Sequence, residues 1–144
     1  MSSIDTNQNK QLVKTFIEAM GQGDATIAAQ CLCEDAYTLA KGFGHFAGVR
    51  EHETIVGTIA AFKQLFPEGL NPDFISFTAE AERVVAEFEG RATTFDGQPY
   101  NNQYCMVFTL NNGKIKHVHE YFCTKLADQV LWPLVQSAMK PESA

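Results

Sequence analysis

Part-way along this chain the hydrophobic period changes, and that change limits the possible folds more than any other feature. Up to Pro67 the apolar residues recur at helical spacing; from Asn71 onward they alternate. Residues three and four apart share a helix face, and residues two apart share a strand face, so the two parts must build different structures. Leu12, Val13, Phe16, Ile17 and Met20 mark a first helix that runs out at "GQGD". Asp24 is placed to cap a short second helix carrying Ile27, Cys31 and Leu32. "AYTLA" (Ala36–Ala40) reads as a strand, and the loop "KGFGHFAG" follows it. A third helix carries Ile55, Val56, Ile59, Phe62 and Phe66 until Pro67 stops it.

Beyond Asn71, "DFISFTAE", "RVVAEFEGRATTF", "YNNQYCMVFTL" and "KIKHVHEYF" predict four strands, with turn signals at Asp96-Gly97 and at Asn111–Gly113. "KLADQVLW" predicts a last short helix that Pro133 interrupts. Helices followed by a run of antiparallel strands give an α+β fold. A flat sheet cannot cover three N-terminal helices, so the curved, mostly antiparallel sheet closes around them as a cone with a hollow. Residues 1–144 make one domain, with an ordered core of about 8–136, long enough to bury roughly 70% of its unfolded surface.

Composition narrows what the hollow can meet. Eleven phenylalanines suggest aromatic walls, and a net charge of −6 with scattered basic residues argues against nucleic acid or an anionic membrane as partner. No apolar run approaches the roughly 20 residues of a membrane span, and "MSSIDTNQNK" does not read as a signal peptide. The four cysteines lack zinc spacing and read as free thiols in a reducing cytoplasm.

Opposed residues on antiparallel strands share a face, so turn length decides which side chains enter the hollow. A two-residue turn at Asp96-Gly97 sets Glu89 opposite Tyr104 and Glu87 opposite Met106. The last hairpin has two possible registers. A two-residue Asn112-Gly113 turn puts His119 opposite Met106, whereas a three-residue "NNG" loop puts Glu120 opposite Tyr104. Val118 and Phe122 on one face balance Ile115 and Tyr121 on the other, so the pattern leaves both open.

The element order, the "GQGD" helix end and "GQPYNNQYCMVFTLNNGKIKHVHEYF" resemble the NTF2-like superfamily, closest to the SnoaL-like group of polyketide cyclases, ketosteroid isomerases and limonene epoxide hydrolase. The resemblance covers roughly residues 8–130. It matches Glu120 to a catalytic aspartate on the hydrolase's last strand, which favours the three-residue loop and an inward Glu120. It also implies an outward His117 and His119, near a homodimer contact with Tyr121. The hydrolase's Arg-x-Asp pair falls on Glu87 and Glu89, so its arginine is missing. The isomerase tyrosine, base and second aspartate fall on Phe16, on Ala40 and near Met106, so that mechanism cannot run with the same residues.

These readings converge on a small apolar ligand bearing polar groups and on an isomerase, cyclase or lyase that needs no cofactor. Glu120 is the expected proton-transfer group, assisted by Glu87 and Tyr104. Phe16, Met20, Ile59, Phe62, Asn102, Met106, Val118 and Phe122 are the expected ligand-binding residues. His117 and His119 lack a third ligand in sequence, so no metal site is assigned. A non-catalytic ligand-binding or protein-interaction module is the alternative.

Overall fold

Asp5 opens the first helix, its carboxylate accepting from the amides of Asn7 and Gln8. α1 (Thr6–Gly21) follows and buries Val13, Phe16 and Ile17. The computed structural model describes residues 4–139. Asp24 caps α2 (Ala25–Gln30) by accepting from the Ile27 amide. That helix ends sooner than expected, since Cys31 turns the chain and Leu32 already belongs to β1 (Leu32–Ala40). An unforeseen short strand, β2 (Gly48–Glu51), pairs antiparallel with β1 and leads directly into α3 (His52–Ala60). The expected third helix breaks at Ala61, so α4 (Phe62–Leu65) makes four helical segments before the long strands. Phe66 is extended, as the residue before Pro67 should be.

β3 (Asn71–Glu80), β4 (Arg83–Arg91), β5 (Gln103–Asn111) and β6 (Lys114–Phe122) complete one six-stranded sheet in the order β2-β1-β6-β5-β4-β3. β1 and β6 run parallel, and the other neighbours run antiparallel. α1 packs on β3 and β4, α3 packs on β1 and β2, and α2 links the two helices. Helices thus joined to each other reach both ends of the sheet because the sheet is curved. α5 (Thr124–Val130) and α6 (Trp132–Met139) follow β6. Pro133 lies in the first turn of α6, where a missing N–H costs nothing, so it begins a helix rather than ending one.

Both hairpins differ from expectation by one residue. β4 and β5 are joined through a three-residue Phe95–Asp96–Gly97 loop: the Thr94 amide donates to the Gln98 carbonyl at 2.8 Å, and Gly97 takes φ 88°. Glu89 therefore faces Gln103, and Glu87 faces Cys105. At the other hairpin Asn111 pairs with Lys114, leaving a two-residue turn with Asn112 at φ 51° and Gly113 at φ 76°. Positive φ at both positions is the type I′ geometry that suits a twisted hairpin. The register then shifts, Leu110 facing Ile115 but Thr109 facing His117, so Lys116 is an extra residue in β6.

Close approach ties the helices to the sheet at Gly21. Its carbonyl accepts from the Leu70 amide at 2.8 Å, and a Cβ there would lie 2.1 Å from the Leu70 carbonyl oxygen. Backbone cannot swing aside like a side chain, so Gly21→Ala should destabilise the fold by about 2–3 kcal/mol. Denaturant unfolding checks this, and an unchanged midpoint would contradict it.

Candidate functional site

Between the concave face of the sheet and the helices lies a cavity of about 740 Å³, within the size range of small-molecule sites. α1 contributes Phe16 and Met20, α3 contributes Ile59, and α4 contributes Phe62. The sheet contributes Tyr104, Met106, Glu120 and Phe122, and α6 adds Leu134, Val135 and Ala138. The walls are mostly aromatic and aliphatic; among the described residues the charged ones lining it are Arg50 and Glu120.

The extra residue in β6 puts Glu120 here. Beyond Lys116, Phe108 faces Val118, Met106 faces Glu120 and Tyr104 faces Phe122, all on the inner side. On its other side Glu120 neighbours Ala40, whose small side chain leaves room beside the carboxyl. Glu120 is partly shielded from solvent, and among the described residues its carboxylate accepts no hydrogen bond. Burial pushes the carboxyl up from its ordinary value of 4.5, while the positive charge of Arg50 pulls it back down. A carboxyl in this state can exchange a proton closer to neutral pH than an exposed one.

Tyr104 shares the field of Glu120. Its phenol is held well above 10.0, first by burial, then by the neighbouring Tyr100 phenol and the Glu120 charge. It therefore stays protonated and able to donate. Asn102, expected to face the ligand, instead clips the ends of β5 and β6 together. Its amide nitrogen donates to the Tyr100 hydroxyl at 2.8 Å and the Cys123 carbonyl at 3.1 Å, and its oxygen accepts from the amides of Gln103 and Cys123. Every polar atom of Asn102 is thus engaged in holding Tyr100 and the chain ends, and Asn102 does not line the cavity.

The other expected residues separate. Glu87 lies on the outer face and is exposed, as is Glu89, because the three-residue loop moved the register by one. Glu87 therefore cannot share a proton with Glu120. Val118 is on the inner face but belongs to the packed core and does not line the cavity. His117 and His119 face outward, stacked at 5.2 Å, with Tyr37 stacked on His117 at 5.1 Å. Burial, then the charges of His119, Lys116 and Arg83, push the His117 imidazole below its ordinary 6.5. Three or more metal-ligating side chains do not come together anywhere among the described residues. His45 stacks on Trp132 at 4.3 Å, pinning its loop to α6.

Sequence reasoning missed Arg50, Thr38, Tyr100 and the α6 residues. Tyr100 had a signal, since it shares parity with Tyr104 and Met106. Arg50 had only a faint one, as the sole lysine or arginine between Lys41 and Lys63. α6 was lost because Pro133 was read as a stop.

The SnoaL-like domain family matches this chain over residues 13–118. No curated protein is significantly similar to it in sequence. Among solved structures, PrhC from Penicillium brasilianum superposes with a TM-score of 0.79 at 13% identity, over 92% of this chain and 91% of that one. An LEH-like epoxide hydrolase from M. tuberculosis gives 0.70 at 18% identity, over 92% and 96%. An NTF2-like protein from Burkholderia xenovorans LB400 gives 0.68 at 22% identity, over 88% and 98%. Likenesses at such low identity speak for the fold alone. The family match, over most of the chain and on this architecture, makes the protein a member of the SnoaL-like domain family, with the fold of the NTF2-like structures.

Proposed function

We propose that this chain is a small-molecule enzyme of isomerase, cyclase or lyase type, in which Glu120 transfers a proton within an apolar cavity. The observation that carries this reading is that Glu120 is the one acidic residue among the described residues lining the cavity, with its carboxyl pushed upward by burial. The Glu120 carboxylate takes a proton from carbon next to a carbonyl, and the electron pair moves onto the carbonyl oxygen. The Tyr104 hydroxyl donates to the developing oxyanion, beside the Tyr100 hydroxyl that Asn102 holds. In a β,γ-unsaturated ketone, return of the proton from Glu120 to the γ carbon, as the oxyanion re-forms the carbonyl and the double bond moves to the α,β position, completes an isomerisation. The step asks only for a base, a donor and exclusion of water. Glu87 has no part in it.

Deuterium uptake into a bicyclic ketone such as 2-tetralone, followed by NMR in D2O, tests the chemistry. Wild type should exceed buffer-catalysed exchange; Glu120→Gln should lower the enzymatic rate on the order of 100-fold or more, and Tyr104→Phe roughly tenfold. Exchange unchanged in Glu120→Gln would contradict the proposal. Wild type no faster than buffer, with ligand still bound, would favour the non-catalytic binding module.

Stability supplies a second expectation. A carboxyl raised in the folded state keeps its proton longer there than in the unfolded chain, so the native state loses stability as pH rises from about 4.5 through the folded value. Glutamine cannot ionise, so Glu120→Gln should match wild type near pH 4 and gain on it towards neutrality. Denaturant melts of both proteins across that range measure the gap, and a gap flat with pH would contradict a shielded carboxyl.

A further inference from the structure

Proton transfer leaves the cavity's other charge without a task. Arg50 stands on β2 directly opposite Thr38 of β1, and both line the cavity. One Nη2 of Arg50 donates to the Phe46 carbonyl at 2.8 Å, which fixes the fork at one corner and leaves further N–H groups free to donate. Among the described residues Arg50 forms no ion pair; the pair they contain joins Arg91 to Asp73 at the far end of the sheet. Glu120 does not pair with it: among the described residues the two side chains form no ion pair, although the Arg50 charge still reaches the Glu120 carboxyl and pulls it down. A guanidinium cannot shed its proton, so the charge is permanent. Thr54, in the first turn of α3, lines the cavity as well and adds a hydroxyl to that of Thr38.

We propose that Arg50 is an anion anchor and that the cavity takes a ring-bearing apolar molecule with a carboxylate group bound at Arg50. The planar fork matches two carboxylate oxygens, the surrounding apolar wall strengthens the attraction, and the two threonine hydroxyls can donate to the same group. With the carboxylate held at the β2 edge, the rest of the molecule extends across β1 towards Glu120 on β6. That last placement rests on the proton-transfer reading above; the anchor itself does not.

Calorimetric titration with 2-naphthoate and with 2-naphthamide, matched in shape but not in charge, tests the anchor. Wild type should prefer naphthoate by about tenfold or more. Arg50→Gln should abolish the preference while leaving naphthamide affinity within about threefold of wild type. Arg50→Lys keeps the charge without the fork and should retain a reduced preference for naphthoate, which carries the test if Arg50→Gln does not fold. Equal affinity for both probes in wild type would overturn the proposal, as would binding of neither. Parallel weakening of both probes in Arg50→Gln would reduce Arg50 to a brace for the Phe46 carbonyl and overturn it equally. Tetralone carries no carboxylate, so its exchange reports on Glu120 separately. Absent exchange with a naphthoate preference intact would sink the chemistry and leave the anchor standing.

Discussion

One additional residue in one strand decides what this cavity can do. In a strand with strict alternation, Ile115 and Val118 would point to opposite sides of the sheet. Lys116 interrupts the alternation, so both enter the core, at 0% and 1% exposure, and every later residue of β6 follows the new phase. Glu120 is carried inward with Val118 and Phe122, and His117 and His119 are carried outward. Because a one-residue slip reverses every side chain, removing Lys116 would trade a buried isoleucine against the whole inner face of the strand. Packing of Ile115, Val118 and Phe108 thereby holds the position of a carboxyl that lies beside Met106 and Ala40.

The rest of the polar arrangement depends on that placement. The parallel pairing of β1 with β6 sets Ala40 beside Glu120, and Ala40 is where the resemblance to ketosteroid isomerases would put their base. An acidic group thus stands one strand over from the position that family uses. Asn102 closes the open end of β5 against β6 and supports the Tyr100 hydroxyl, which adjoins Tyr104. Arg50, on the edge strand, supplies the opposite charge from the other side. Burial raises the Glu120 carboxyl, and the positive charge of Arg50 opposes the rise.

Much of this fold was legible because hydrophobic period and end signals are local. Alternation located all four long strands, "KIKHVHEYF" matching β6 residue for residue, and Asp24 was recognisable as a cap. The register was not legible, because "DG" serves equally a two-residue turn and a three-residue loop with a left-handed glycine. The inward Glu120 was expected for a wrong reason. A three-residue "NNG" loop and a two-residue turn followed by a bulge leave the same faces inside, and an exposed Lys116 has no side-chain signature that separates them. The balance of Ile115 and Tyr121 against Val118 and Phe122 was itself the trace of the bulge, since no unbroken strand buries both Ile115 and Val118. Asn102 was misread because strand parity says nothing about a side chain that turns to bond its own backbone neighbours.

Proton transfer in this cavity stands or falls on the state of one carboxyl. Selective 13C labelling of glutamate and an NMR titration of the Glu120 carboxyl carbon, assigned by comparison with Glu120→Gln, reads that state directly. A midpoint clearly above 4.5 is the expected result. A midpoint at or below 4.5 would mean a solvated or fully paired carboxylate and would contradict the proton-transfer site.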